Sequence, residues 1–111
     1  MEETGNVLVE RLRRLGAIGQ SHAVKRETLA GWLSVTVREV KAMAEEARLA
    51  GIPVGYSTDS TSGGLFLCER REEIRDCMGK LRRLALKLLR EYSALKRSLS
   101  IERREQMELF S

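Results

Sequence analysis

Three features of this 111-residue sequence predict a mainly α fold with a small β-hairpin and a long amphipathic C-terminal helix. Apolar residues recur at helical spacing in three short N-terminal segments. Two short β-type runs flank a Ser/Thr/Gly stretch. An apolar stripe spaced alternately four and three residues apart then runs from Ile74 to Leu99.

The first helix is expected from about Asn6 to Leu15, with Leu8, Leu12 and Leu15 as its stripe, Thr4 or Asn6 as cap and Gly16 as its stop. Ala17 to Val24 form a connector, with a short strand possible at Ala23-Val24. Arg26 to Leu33 make a second helix whose inner face is Leu29, Ala30 and Leu33, with Trp32 partly covered beside them. Ser34-Val35 breaks it. Thr36-Val37-Arg38-Glu39 has the form of a capping box, so a third helix starts there. It should bury Val40, Met43, Ala44 and Ala47 and end near Ala50, closed by Gly51 ahead of Pro53. Ile52 to Tyr56 and Leu65 to Cys68 read as hairpin strands around a tip from Ser57 to Gly64.

The last helix is expected over residues 70–99, at 1.5 Å per residue a length on the order of 45 Å, more than a small domain covers. Gly79 is its one weak point. The apolar stripe lapses after Leu99, so residues 100–111 are expected to be a flexible tail without fixed structure. The expected organisation is thus a domain at 1–69, a packing or dimerisation helix at 70–99, and the tail.

Charge is distributed unevenly. Residues 1–69 carry eight basic and nine acidic side chains, whereas residues 70–99 carry ten basic against four acidic. The positive field of a chain with net charge +4 therefore belongs to the last helix, whose basic face suits a polyanion or serves simply as a solvated surface. Cys68, Cys77 and His22 stand in no metal-ligand spacing, so no metal and no cofactor is expected, and the two thiols read as buried. No nucleophile stands with a base, and no Gly-rich phosphate loop follows a strand; no catalytic residue is assigned, and the chain is expected not to be an enzyme. No apolar run approaches the roughly 18 residues of a membrane span. The acidic start is unlike a secretory signal, and a cytoplasmic, nucleoid-associated location is expected.

The run Arg26-Glu27-Thr28-Leu29-Ala30-Gly31-Trp32-Leu33-Ser34-Val35-Thr36-Val37-Arg38-Glu39-Val40 resembles the winged helix-turn-helix family. It shares with that family a charged start, Leu-Ala, a Leu before the turn, a β-branched residue, a Ser/Thr cap and a following Arg. The likeness continues through Gly51-Ile52-Pro53-Val54 and Ser62-Gly63-Gly64-Leu65-Phe66-Leu67, which look like the wing strands of small bacterial and phage members. It covers residues 6 to about 68.

The resemblance implies binding to double-stranded DNA, with the third helix in the major groove and its capped N-terminus favouring a nearby phosphate. Thr36, Val37, Arg38, Glu39, Lys41 and Ala42 are the implied DNA-binding residues. Arg38 is the first candidate for a base or phosphate contact, Thr36 would cap and touch phosphate together, and Val37 could meet a thymine methyl. Two features depart from the family. Ser34 stands where many members have Gly, which fits only if the position takes no positive φ. The tip from Ser57 to Gly64 has no Lys or Arg and carries Asp59, so it offers no charge-assisted phosphate contact.

Gln106-Met107-Glu108-Leu109-Phe110 resembles the pentapeptide with which bacterial replication and repair proteins bind the sliding clamp. Met107 stands where Leu is commoner, a swap of similar volume. By that resemblance Leu109 and Phe110 would fill an apolar pocket of the clamp, and Gln106 would hydrogen-bond beside it. The resulting expectation is a replication-associated DNA-binding adaptor that recruits the clamp and forms a homodimer through residues 74–99. A dimeric winged-helix transcriptional regulator, or an interaction module without DNA binding, are the alternatives.

Overall fold

The structure is a computed structural model that describes the backbone of residues 2–58 and 63–110, and the side chains of 6–58, 63–104, 106 and 107. Part of the expected hairpin tip (residues 59–62) and the side chains of Leu109 and Phe110 lie outside the described residues. In chain order the elements are α1 (Glu2–Arg14), a 3-10 turn (Gln20–His22), α2 (Arg26–Leu33), α3 (Val37–Leu49), β1 (Val54–Ser57), β2 (Gly64–Leu67) and α4 (Arg71–Phe110). The chain is mainly helical, with one two-stranded antiparallel sheet and a long C-terminal helix, as predicted. Its contacts divide it into two units, Met1–Cys77 and Met78–Ser111.

In the first unit α1 and α2 both pack on α3. Leu8 and Leu12 of α1, Leu29 of α2, Val40 of α3, Val54 of β1 and Leu65 of β2 are its largest fully buried side chains. Met43, Ala44 and Ala47 complete the inner face of α3, so the helical periodicity of the sequence identified this face correctly. Leu15 does not join the core. Helix α1 ends at Arg14 and Gly16 turns the chain away, leaving Leu15 exposed while Val9 and Ala17 are buried. The helix also begins earlier than expected, so Thr4 and Asn6 lie inside it and do not cap it.

Helices α1, α2 and α3 close in the same way. Gly16, Ser34 and Gly51 take positive φ, and the next amide reaches back to the carbonyl five residues earlier: Ala17 to Leu12 at 2.9 Å, Val35 to Ala30 at 3.0 Å and Ile52 to Ala47 at 2.9 Å. This is the Schellman closure, which satisfies carbonyls that the helix end would leave free. Ser34 thus does adopt the left-handed conformation, at φ 56° and ψ 44°, contrary to the condition under which its side chain was expected to fit. The α2–α3 turn holds it there through the Val35 amide and through its own N–H, which points to the Ala30 and Gly31 carbonyls.

Strands β1 and β2 pair from Val54↔Leu67 to Ser57↔Gly64. The other edge of β2 is covered by the connector. Val24 exchanges both backbone hydrogen bonds with Leu65, at 2.9 and 2.8 Å, and Leu67 bonds to the Ala17 carbonyl and to the Gly19 amide, each at 2.8 Å. The strand suspected at Ala23-Val24 is therefore a single bridge, and it places β2 between two neighbours.

The first turns of α4 belong to the first unit. Glu73 accepts the amides of Glu69 (2.7 Å) and Arg70 (3.2 Å), capping the helix start, and also that of Gln20 (2.7 Å). Cys77 is buried one turn further on. Beyond it α4 continues without a break through Gly79 and, contrary to expectation, past Leu99 as far as Phe110. The lapse of the apolar stripe does not end the helix, because residues 100–110 contain neither Gly nor Pro and are rich in Glu, Arg, Gln, Met and Leu. The segment expected to be a tail without fixed structure is helical.

Candidate nucleic-acid interface

The N-terminal end of α3 presents a capped, exposed polar surface on the first unit. Thr36 sits at the cap with an extended backbone, and its Oγ1 accepts the Glu39 amide at 3.1 Å. This is the capping-box bond expected from Thr36-Val37-Arg38-Glu39. The hydroxyl proton of Thr36 stays available to an outside acceptor, since the capping bond uses only a lone pair. Val37, Arg38, Glu39, Lys41 and Ala42 follow, all exposed, while Val40 between them is fully buried and anchors the turn. The six residues singled out from the sequence therefore share one accessible helix end.

Its charge is mixed. Arg38 and Lys41 share the outer side of α3 with Glu39 and Glu45, all exposed. Arg48, the third cation of the helix, serves the fold instead. Its Nε donates to the Val54 carbonyl at 2.6 Å, and its guanidinium lies 5.2 Å from the centre of the Tyr56 ring. That pair of contacts ties the end of α3 to β1.

A second feature was not legible in the sequence. An open cleft where the hairpin strands enter the tip is lined by Lys25, Arg26, Glu27, Ser57, Thr58, Gly63 and Gly64. Lys25 and Arg26 lead into α2, and the Val24↔Leu65 bridge places them beside Gly63 and Gly64. The charge absent from the tip itself is thus supplied at its base by the connector. Only the pairing of Val24 with a strand 41 residues later makes this visible, and nothing in local sequence signals it.

On α4 four arginines fall into a row. Arg83, Arg90, Arg97 and Arg104 recur every seven residues on the side of the helix opposite Leu81, Leu88, Leu95 and Leu99, and all eight are exposed. Gln106 and Met107 are exposed as well.

Both thiols are sheltered, Cys77 buried and Cys68 half-buried. Burial, with the neighbouring Cys77 and Glu73 adding to it against Arg48, pushes the Cys68 thiol up to about 11. Among the described residues no group of three or more His, Cys, Asp or Glu side chains could hold a metal ion, and no helix is long and apolar enough to cross a membrane. No family model, no curated protein and no solved structure matches this chain.

Proposed function

We propose that the chain is a winged-helix DNA-binding adaptor, associated with replication, that holds duplex DNA through the N-terminal end of α3 and recruits a bacterial sliding clamp through Gln106, Met107, Leu109 and Phe110. The observation that carries this reading is the accessible, capped turn of α3, where Thr36, Arg38 and Lys41 stand together on a helix anchored by Val40. A helix end of this kind enters a major groove with its first residues towards base edges. Lys25 and Arg26, beside the tip end of the hairpin, add cations to the same unit. The tail reading rests on the resemblance of residues 106–110 and on the exposure of Gln106 and Met107. A homodimer through residues 74–99 belongs to the same reading, since the apolar side chains there are exposed in the single chain.

The test is a titration of duplex DNA at several salt concentrations with wild type and with Arg38→Ala/Lys41→Ala. Phosphate contacts release counterions, so each one lost should lower the steepness of the salt dependence by about one. Weaker binding with a shallower slope supports α3. Unchanged binding rules out the α3 contact and moves it to the arginine row of α4.

The near balance of charge over residues 1–69, with Glu39 and Glu45 beside Arg38 and Lys41, favours as a second reading an interaction module without DNA binding. Absence of salt-dependent DNA binding in the wild type is its signature.

A further inference from the structure

The second unit exposes an apolar face that a single chain leaves uncovered. Met78, Leu81, Ala85, Leu88, Tyr92, Leu95 and Leu99 follow one another at alternating three- and four-residue steps, and Leu95 and Leu99 are 70% and 68% exposed. In heptad terms Leu81, Leu88 and Leu95 occupy d, and Met78, Ala85, Tyr92 and Leu99 occupy a. The seam is about 33 Å long at 1.5 Å per residue. Leu at three consecutive d positions is the d-position choice of two-stranded parallel coils, while none of the a positions carries the β-branched residue that accompanies it there.

The residues flanking the seam choose the occupant and its direction. The e positions beside d are Arg82, Leu89, Lys96 and Arg103, cationic but for one leucine. The g positions before a are Cys77, which is buried in the first unit, and Leu84, Glu91 and Ser98, which are exposed. An antiparallel pair sets e against e, so cations would face cations along the coil. A parallel pair sets each g against the e position five residues further on in its partner. Leu84 then meets Leu89 of the second copy and widens the apolar seam. Glu91 meets Lys96, and the twofold axis makes that attraction twice. Ser98 meets Arg103 without repulsion, its hydroxyl already bonded to the Ala94 carbonyl at 3.2 Å.

We infer that the occupant of this face is a second copy of the chain, lying parallel, with Glu91 of each helix paired to Lys96 of the other. The inference rests on reading residues 74–99 as a pairing face and adds the direction. A parallel coil brings both C-terminal segments out at the same end, with helix axes about 10 Å apart. Two copies of residues 106–110 are then offered to one partner, and binding of the first makes the second effectively intramolecular. The Arg83, Arg90, Arg97 and Arg104 rows stay on the outer sides of the coil, clear of the seam.

Charge exchange in the full-length protein separates direction from pairing. The masses of wild type, Lys96→Glu, Glu91→Lys/Lys96→Glu and Leu88→Asp are followed by sedimentation equilibrium over a wide concentration range at low salt. Wild type should show two chains, and Leu88→Asp one. Lys96→Glu sets Glu91 against a carboxylate twice per dimer and should weaken association about tenfold, while the double exchange should recover most of the loss. A wild type of one chain at every concentration would overturn the pairing face itself. Tighter association of Lys96→Glu would overturn the parallel direction alone, since in an antiparallel coil the new carboxylate faces arginines.

Discussion

The Glu73 carboxylate accepts the Gln20 amide at 2.7 Å and the Glu69 amide at 2.7 Å, so one side chain fastens the connector, 53 residues away in sequence, to the start of α4. Partial burial alone would raise the Glu73 carboxyl. The amides of Glu69, Gln20 and Arg70, with the Arg70 guanidinium, outweigh it and hold the carboxyl below the ordinary glutamate range. A carboxyl depressed in the folded state stabilises above its unfolded pKa, and that contribution disappears as pH falls through the folded value. Glu73→Gln should therefore lower stability by about 1 kcal/mol at pH 7, the ordinary cost of a lost cap. The difference from wild type should shrink below about pH 4. Urea unfolding at a series of pH values checks it; a gap that widens in acid would contradict the assigned role.

Ser34 holds a left-handed conformation that Gly16 and Gly51 hold at the two other helix ends. The left-handed region costs a residue with a Cβ about 1 kcal/mol, and glycine returns part of that through its greater freedom when unfolded. Ser34→Gly should leave stability equal or raise it by up to about 1 kcal/mol, whereas Ser34→Val should lower it by more than that. Denaturant midpoints decide; a markedly less stable Ser34→Gly would show that the serine is not strained.

Gly64 stands where β2 meets the connector, with φ at 146°, and a Cβ there would lie 2.1 Å from the Val24 carbonyl oxygen. Gly64→Ala should cost about 3 kcal/mol through strain and the lost Val24–Leu65 pairing. Faster exchange of the Leu65 and Val24 amides should accompany the loss. Wild-type protection at both would separate this glycine from the bridge.

The Cys68 thiol, held near 11, is almost entirely protonated at neutral pH, and Cys77 is buried. Both should react with iodoacetamide far more slowly in the folded protein than in urea, since the thiolate is the nucleophile. Mass spectrometry of timed samples measures it. Rapid labelling of Cys68 at pH 7 would mean that strand β2 opens readily at its end.

Periodicity made much of the fold legible. The inner face of α3, the α2–α3 turn, the Thr36 cap and the hairpin all follow from spacing, capping chemistry and breakers within a dozen residues. Long-range effects were not legible. The edge pairing of Val24, the Glu73 bond to Gln20 and the service of Arg48 to Val54 and Tyr56 depend on which segments meet. The helical state of residues 100–110 was missed for another reason: an apolar stripe reports what a helix packs against, and intrinsic propensity alone can extend the helix beyond it. Of the candidate interface, the capped and exposed end of α3 was readable in the sequence, and the placement of Lys25 and Arg26 was not, because it depends on a strand later in the chain.

In the proposed adaptor the first unit and the C-terminal segment act together but independently. Its most direct test is titration of a preformed complex of protein and duplex DNA with purified bacterial sliding clamp, for wild type and for Leu109→Ala/Phe110→Ala. Losing two apolar anchors should weaken clamp binding by at least about thirtyfold, whereas a surface substitution typically moves stability by under about 0.5 kcal/mol. Wild type should form a ternary complex and the double variant none, with the same DNA affinity and melting temperature for both. A wild-type complex that ignores the clamp, or a double variant that melts many degrees lower, would contradict it.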